Sequence, residues 1–169
     1  MSNEAVIIVG AGHAGAELAH SLRKEGFEGR VVLVCDEPHF PYQKPPLSKD
    51  FLKGDGGNPL LLKAEALYGK LDIELMLGRC VTGIDREARC VLLDDGARLA
   101  YSHLALATGA RNRRPPVPGL DDPAVMELRG LDHCLVILTR TPGLDHVAGV
   151  GAGFIGLEIA AFLREKGKT

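Results

Sequence analysis

Buried-strand and helical patterns alternate over the first 35 residues of the chain. Residues Ala5 to Val9 and Val31 to Cys35 form short, uninterrupted apolar runs, as expected for strands that are buried on both faces of a parallel sheet. Between these runs, apolar residues recur at helical spacing from His13 to Glu25, and Gly26 follows as a suitable C-cap. The pattern therefore predicts a βαβ unit of about 31 residues, which is the usual size.

A proline-rich segment separates this unit from a second group of strands. Residues Pro38 to Gly54 contain four prolines and three lysines, which excludes a regular strand and predicts a shaped loop with a short helix near Leu47 to Leu52. A helical segment is expected around Ala64 to Gly69. Alternating residues and an Asp95-Gly96 turn then predict an antiparallel three-stranded meander, inserted around Ile73 to Tyr101.

The last third of the chain has a weaker pattern. An apolar run from His103 to Ala110 predicts a strand that ends at a glycine turn, and the Pro- and Arg-rich segment from Asn112 to Leu120 predicts a linker. From Leu128 to Asp145, β-branched and apolar residues stand together, so the helical pattern is poor. A strand from His146 to Val150 and a helix from about Ile155 to Lys166 complete the prediction.

Composition and charge narrow the class of protein without identifying it. The 169 residues are 46% hydrophobic and 25% charged, with a formal net charge of -2, which predicts a folded protein that binds neither nucleic acid nor an anionic membrane. The longest apolar runs fall far below the roughly 18 residues of a membrane span, and the chain starts with the acidic stretch MSNEAV. We therefore expect a cytoplasmic protein without a membrane segment.

No metal site is expected from the sequence. The four cysteines, at positions 35, 80, 90 and 134, form no C-x-x-C motif, and the six histidines form no H-x-x-x-H motif. The cysteines are best interpreted as small buried side chains that stay reduced.

The most informative motif is G-x-G-x-x-G, which occurs twice at an interval of 141 residues, each time between an apolar run and a helical pattern. In the first copy, Gly10 suits the tight turn after the strand, Gly12 the close approach of a pyrophosphate, and Gly15 the packing of helix on strand. N–H groups at the helix start attract the phosphate charge. Asp36 and Glu37, which follow the second predicted strand, are the candidates for binding a ribose hydroxyl pair.

The second copy of the motif comprises Gly151, Gly153 and Gly156. Two interpretations stay open: either it binds a second nucleotide, or its glycines only allow a helix to pack closely on a strand. The strand that would carry its ribose-binding acid is expected beyond Thr169. This second nucleotide site is therefore predicted to be incomplete in the chain.

Four segments are specific enough to indicate a family: VIIVGAGHAGAELA, YQKPPLSKDFL, HLALATGARNRR and GVGAGFIGLEIAA. Together they resemble the FAD-dependent pyridine nucleotide-disulfide oxidoreductases, and within them the ferredoxin, putidaredoxin and rubredoxin reductases. The P-P-L-S-K loop is particular to this branch, whereas the A-T-G strand occurs in the wider superfamily. The resemblance extends over essentially the whole chain.

The resemblance implies an α/β fold in two domains. A Rossmann-like FAD-binding domain, with a parallel sheet and an inserted antiparallel meander, is expected at residues 1–114, and the start of a second Rossmann domain, for NAD(P)H, at residues 115–169. The implied activity is that of an oxidoreductase that passes electrons from NAD(P)H through FAD to a ferredoxin-like or rubredoxin-like iron–sulfur protein. Members of this family are much longer, so we expect the chain to be an N-terminal portion.

The resemblance also implies a set of cofactor contacts, carried over by position. The FAD pyrophosphate would contact Gly10, Gly12, His13, Ala14 and Gly15, the adenosine ribose Asp36 or Glu37, and the adenine the backbone near Val81. The flavin would lie along Lys44, Pro45 and Lys49, and Ala107, Thr108 and Gly109 would close over the cofactor. NAD(P)H would contact Gly151, Gly153 and Gly156.

Lys49 and Glu158 are the implied catalytic residues. An ammonium beside the flavin would stabilise the negative charge of its reduced form and raise its potential, and a buried lysine keeps its proton more readily beside a carboxylate. In the family, the first helix of the NAD domain supplies that carboxylate, at the position of Glu158. The hypothesis is thus an ion pair beside the flavin, and the alternative is a solvated loop lysine and a surface helix acid.

Three interpretations of function stay open. The disulfide-reducing members carry C-x-x-x-x-C where this chain has Lys44, Pro45 and Pro46, so a dithiol relay is excluded and electrons would leave the flavin directly. The first interpretation is the reductase. The second is a truncated, non-catalytic flavin- or nucleotide-binding remnant, whose exposed apolar surface would favour self-association. The third interpretation is an NADH oxidase. It is the weakest, because such an enzyme normally has a redox-active cysteine and none of the four cysteines occupies that position.

Overall fold

The computed structural model describes residues 4–54 and 56–169, which divide into two compact units. The first unit contains residues 4–42 and 61–109, and the second contains residues 43–54, 56–60 and 110–169. In chain order the elements are β1 (Ala5–Val9), α1 (His13–Lys24), β2 (Arg30–Cys35), a 3-10 helix (Pro45–Ser48), α2 (Asp50–Lys53), α3 (Glu65–Lys70), β3 (Ile73–Leu77), β4 (Val81–Asp85), β5 (Cys90–Leu93), β6 (Arg98–Ala100), β7 (His103–Leu106), α4 (Leu131–Arg140), a second 3-10 helix (Thr141–Gly143) and α5 (Phe154–Glu165).

A four-stranded parallel sheet, in the order β3-β2-β1-β7, forms the centre of the first unit. Its two middle strands are the apolar runs of the sequence, and Ile7, Ile8, Val32 and Leu33 are fully buried within them. Helix α1 connects β1 to β2, and Gly26, with φ at +84°, follows its end. The predicted βαβ unit and the α/β fold are thereby confirmed.

Helix α1 covers one face of the parallel sheet. Ala16 and Ala19, small residues with almost no exposed surface, belong to the same core cluster as Ile8 of β1 and Leu33 of β2. Tyr68 of α3 belongs to this cluster as well, and burial raises the pKa of its hydroxyl to about 12. Small side chains on α1 allow the helix to approach the sheet closely, which positions the N-terminus of α1 directly after β1.

The opposite face of the sheet packs against an antiparallel sheet of β4, β5 and β6. The predicted turn at Asp95-Gly96 is present: Gly96 has φ at +84° and its N–H donates to the Leu93 carbonyl. The predicted bounds of the meander were wrong, because the run from Ile73 to Leu77 pairs in parallel with β2 instead. The meander therefore covers residues 81–100.

The guanidinium of Arg23, at the end of α1, connects three segments of the first unit. It donates hydrogen bonds of 2.6 to 2.8 Å to the carbonyl oxygens of Phe27, Gly29, Leu71 and Asp72. The arginine side chain is 9% exposed, so these carbonyls satisfy a charged group that water scarcely reaches.

Helices α2, α4 and α5 belong to the second unit. Helix α4 lies where the sequence pattern was poor, and its buried side is formed by Leu131, Cys134 and Ile137 at every third position. The helix pattern was obscured because Leu135 and Val136, equally apolar, are exposed on its other side. The consecutive apolar and β-branched residues from Leu135 to Ile137 are also typical of a strand, which is why the sequence pattern did not indicate a helix.

The thiol of Cys134 is completely buried and donates to the carbonyl oxygen of Leu47 over 3.6 Å. Burial raises the pKa of this thiol from 9.0 to about 12. The thiolate therefore forms more readily in the unfolded chain than in the folded one, and the group contributes stability that is fully present below about pH 9 and is lost as the pH rises towards 12.

We expect the free energy of unfolding to fall by up to about 1.4 kcal/mol per pH unit above about pH 9 through this single proton. Denaturant titrations at increasing pH, in the presence of a reductant, measure the effect. The destabilisation caused by Cys134→Ala should shrink as the pH rises, whereas that of Ile137→Ala, which truncates a buried side chain without an ionisable group on the same helix, should stay constant. A Cys134→Ala effect that is independent of pH would contradict the prediction.

The predicted strand from His146 to Val150 is not formed as such. Instead, the N–H of Val147 donates to the Thr169 carbonyl over 2.8 Å, and the Thr169 N–H donates to the Asp145 carbonyl over 3.1 Å. Two bonds from both sides of one residue follow the pattern of a parallel pair. The segment therefore makes strand-like bonds at its start only, and the prediction of a five-residue strand was wrong because no strand among residues 4–54 and 56–169 pairs with the rest of it.

Candidate functional site

The first glycine motif forms a tight turn between β1 and α1. Gly10 has φ at +104°, and a Cβ at this position would lie 2.3 Å from the Ala107 carbonyl oxygen. A Cβ at Gly15 would lie 1.9 Å from the Gly10 carbonyl oxygen. Both positions therefore require glycine for local reasons, and neither by itself indicates a ligand.

Gly12 differs from its two neighbours in the motif. It is the N-cap of α1 with φ at -70° and ψ at -171°, a conformation that any residue can adopt. A Cβ at Gly12 would meet no atom within 4 Å. His13 and Ala14, which follow, are exposed in the first turn of the helix. The missing side chain at Gly12 thus leaves open space at the positive end of α1, where a pyrophosphate could approach.

The A-T-G segment closes one side of this turn within the first unit. The N–H of Ala107 donates to the Val9 carbonyl over 2.8 Å, which extends the pairing of β7 with β1. Thr108 and Gly109 follow in exposed positions, and Gly109 has φ at +67°. Ala107 and Thr108 therefore lie beside the glycine turn.

Two carboxylates follow β2, as predicted, but their surroundings differ. Glu37 is half-buried, and its carboxylate accepts a hydrogen bond from the hydroxyl of Tyr42, which is 4% exposed. Asp36 is exposed. Val81, the predicted adenine contact, is half-buried at the first position of β4.

The second glycine motif, in the second unit, repeats the local geometry of the first. Gly151 has φ at +108°, a Cβ at Gly156 would lie 2.2 Å from the Gly151 carbonyl oxygen, and a Cβ at Gly153 would meet no atom within 4 Å. Phe154, the first residue of α5, is 88% exposed. The turn is therefore built as predicted, and within its own unit it is open to solvent.

The predicted pair of Lys49 and Glu158 is present in the second unit. Lys49 Nζ lies 3.6 Å from Glu158 Oε1, with 56% and 31% of the two side chains exposed. Ser48 Oγ donates a hydrogen bond of 2.5 Å to the other oxygen, Oε2 of Glu158. A second ion pair, between Lys53 Nζ and Glu165 Oε1 at 2.8 Å, joins α2 and α5 about two turns after Glu158 on α5.

A cavity of about 370 Å³ in the second unit includes this ion pair among its lining residues. The lining also contains two predicted flavin contacts and three polar side chains that sequence reasoning missed. The full lining is Lys44, Pro45, Leu47, Ser48, Lys49, Asn112, Leu128, Arg129, Phe154, Ile155 and Glu158.

Of the missed residues, Arg129 donates from Nε to the Ala110 carbonyl over 2.8 Å. Asn112 donates to the carboxylate of Glu127 over 3.1 Å. The only signal in the sequence was the basic character of the segment around residue 112, which predicted a linker. Together with Lys44 and Lys49, Arg129 makes the cavity predominantly cationic and therefore suited to an anionic ligand.

The pyridine nucleotide-disulphide oxidoreductase family model matches residues 4–169, which is nearly the whole chain. The chain belongs to this family. Rhodocoxin reductase from Rhodococcus erythropolis is 45% identical over 163 residues, which cover 96% of the chain and 38% of that relative.

Two solved structures of the family match the fold. A ferredoxin reductase for the CYP199A2 system from Rhodopseudomonas palustris superposes with a TM-score of 0.92 at 49% identity, over 98% of this chain and 41% of that one. The covalent complex of putidaredoxin reductase with putidaredoxin matches with a TM-score of 0.85 at 37% identity, over 98% and 40%. The chain thus spans about two fifths of the length of these family members, and the resemblance to their branch is confirmed.

Family membership implies FAD and NAD(P)H as cofactors. The first glycine turn fits such a group, because the space that a Cβ at Gly12 would fill is open while those at Gly10 and Gly15 are occupied by backbone. No three His, Cys, Asp or Glu residues of the described chain are arranged to hold a metal ion. Within residues 4–54 and 56–169, no helix has the length and apolar character needed to cross a membrane.

Proposed function

We propose that the chain is the FAD-binding portion of a reductase that takes electrons from NAD(P)H and passes them to a ferredoxin-like or rubredoxin-like iron–sulfur protein. The observation that carries the proposal is the open position at Gly12, which leaves the N-terminus of α1 accessible between two glycines that pack against backbone. When bound, FAD would supply the step between a two-electron donor and a one-electron acceptor.

Within the first unit, Gly10, Gly12, His13, Ala14 and Gly15 would hold the pyrophosphate. Either Asp36, which is exposed, or Glu37, whose carboxylate accepts the Tyr42 hydroxyl at one oxygen, would bind the ribose hydroxyls. The backbone near Val81 would contact the adenine, and Ala107, Thr108 and Gly109 would close over the cofactor.

In the second unit, Lys44, Pro45 and Lys49 are proposed flavin contacts, and Gly151, Gly153 and Gly156 a proposed NAD(P)H contact. The division into an FAD domain at residues 1–114 and the start of an NAD(P)H domain at residues 115–169 is part of the same proposal. A cytoplasmic location agrees with the use of a pyridine nucleotide as electron donor.

The absorbance spectrum of the freshly purified chain, followed by titration with FAD, tests the proposal. A two-banded flavin spectrum or saturable binding is expected, and addition of NADH or NADPH under anaerobic conditions then tests whether the flavin is bleached. A colourless chain that does not bind FAD would overturn the proposal.

A second candidate is a nucleotide-binding chain without turnover. In this candidate, Val150 and Phe154, which are 86% and 88% exposed, would form an apolar surface on which a second copy of the chain packs. FAD binding without bleaching by NADH or NADPH, together with a dimer in analytical ultracentrifugation, would favour this candidate over the reductase.

The ion pair in the second unit gives a prediction for the flavin potential. Replacing Glu158 by Gln removes one negative charge next to Lys49, so the net charge there becomes more positive and reduced flavin is stabilised. We expect the midpoint potential of bound FAD to rise by on the order of 20 mV, which corresponds to about 1 kcal/mol for a two-electron couple.

Spectroelectrochemical titration of the FAD-loaded chain measures this shift. Glu165→Gln is the matched control, since it removes the same charge from α5 at the pair with Lys53 and should leave the potential unchanged. Equal potentials for wild type and Glu158→Gln would assign the ion pair a structural role only.

A further inference from the structure

The carboxylate of Glu158 has two neighbours, and the tighter one is not the lysine. Ser48 Oγ donates to Oε2 over 2.5 Å, whereas Lys49 Nζ lies 3.6 Å from Oε1. A separation of 3.6 Å is an ion pair but too long for a hydrogen bond. Glu158 therefore interacts with Lys49 through charge alone, whereas the orientation of the Glu158 carboxylate is set by the Ser48 hydroxyl.

Ser48 is held on a backbone that has little freedom. It ends the 3-10 helix that begins with Pro45 and Pro46, whose rings fix φ. The preceding Leu47 is 3% exposed, and its carbonyl accepts the buried thiol of Cys134. Ser48 itself is 9% exposed and is one of two buried polar residues in the described chain. A hydroxyl in this setting points in a defined direction.

Glu158 is also fixed along its helix, but its side chain has three rotatable bonds. One turn further along α5, Phe162 is 1% exposed and holds the helix in the second unit. Without a hydrogen bond, a glutamate and a lysine both lose rotamer freedom when they pair at a surface, and the net gain is small. A hydroxyl that already fixes the glutamate lowers this entropic cost.

We infer that Ser48 is a positioning residue: its hydroxyl orients the Glu158 carboxylate so that the pair with Lys49 forms and the Lys49 ammonium keeps its hydrogen-bond donors for the flavin. The last part of this inference rests on the proposed function. The first part concerns three side chains of the second unit alone and can be tested without any cofactor.

The cofactor-free test is solvent exchange of lysine ammonium protons, followed by NMR in the ¹⁵N-labelled chain at low temperature and mildly acidic pH. Ser48→Ala should speed the exchange of the Lys49 ammonium up to about fivefold, because the exposed ion pair that holds its charge is weakened, and Ser48→Thr should restore it. The ammonium of Lys53, paired with Glu165 outside the reach of Ser48, is the internal reference and should not change.

Thr141→Val is the matched control variant. It removes the other buried hydroxyl of this unit, which donates to the Ile137 carbonyl over 2.7 Å, and it should leave the exchange of Lys49 unchanged. If Ser48→Ala does not fold, Ser48→Cys keeps the size of the side chain and weakens the donor, and the same acceleration is expected. Unchanged exchange of Lys49 in a folded Ser48 variant would overturn the inference.

The midpoint potential of bound FAD tests the role toward the cofactor. We expect Ser48→Ala to shift the potential and Ser48→Thr to return it to the wild-type value, whereas Thr141→Val leaves it unchanged. Equal potentials in Ser48→Ala and wild type would overturn the part of the inference that concerns the flavin. Failure of wild type to bind FAD would instead overturn the proposed function, and the exchange experiment would still decide how Ser48 acts on Glu158.

Discussion

Replacement of Gly15 by alanine is expected to unfold the first unit or to destabilise it by at least about 4 kcal/mol. The added Cβ would lie 1.9 Å from the Gly10 carbonyl oxygen and 3.3 Å from Cγ2 of Ile8. Relief would require α1 to move away from β1, but Ala16 and Ala19 are packed against the sheet with 1% and 0% exposure. Close-packed interiors accommodate such a shift only at high cost. Urea denaturation followed by circular dichroism measures the effect.

Gly69→Ala is the matched control for this substitution. Gly69 lies within α3, and a Cβ there would meet no atom within 4 Å, so alanine should stabilise the helix by up to about 1 kcal/mol. A Gly15→Ala protein with a free energy of unfolding within about 1 kcal/mol of wild type would mean that the helix and strand can separate without loss of packing.

Replacement of Gly12 by valine is expected to leave the fold intact and to lower the affinity for FAD by at least about 100-fold. The conformation of Gly12 is open to any residue, and its Cβ would meet no atom within 4 Å. The isopropyl group would occupy the space through which a pyrophosphate reaches the N–H groups of α1, and loss of several hydrogen bonds to a charged group has an effect of this size. Fluorescence titration with FAD, together with thermal denaturation, checks both parts.

Gly153→Val is the matched control, because Gly153 has the same conformation and the same open space at the start of α5. It should leave the affinity for FAD unchanged. If Gly12→Val binds FAD as wild type does, the first glycine motif serves only the packing of α1 on β1, and the proposed cofactor site is wrong.

The first βαβ unit could be predicted from the sequence because each of its elements carries its own signal. The strands are apolar without interruption, and α1 has a polar face. The run from Ile73 to Leu77 was correctly predicted as a strand from its apolar residues. Its local sequence does not indicate which sheet it joins, and it was wrongly placed in the meander. The prediction of helix α4 failed because Leu135, Val136 and Ile137 form an apolar, partly β-branched run that is equally typical of a strand.

The glycine turns could be placed from motif spacing alone, but the polar partners could not. The surroundings of Glu37 depend on Tyr42, whose hydroxyl donates a hydrogen bond to the Glu37 carboxylate. Ser48 and Glu158 are 110 residues apart, and their hydrogen bond depends on how α5 packs in its unit. Sequence resemblance pointed to Lys49 and Glu158 as a pair, and only the structure reveals that Ser48 contacts Glu158 more closely than Lys49 does.

The hydrogen bonds of Arg23 have a consequence for how the first unit opens. One guanidinium binds carbonyls on both sides of β2, in the segment after α1 and in the segment after α3. Departure of either segment removes two of the four hydrogen bonds of the guanidinium, which favours separation of the two irregular connections from the sheet together. We therefore expect these two connections, which would ordinarily fray independently, to open together with the parallel sheet.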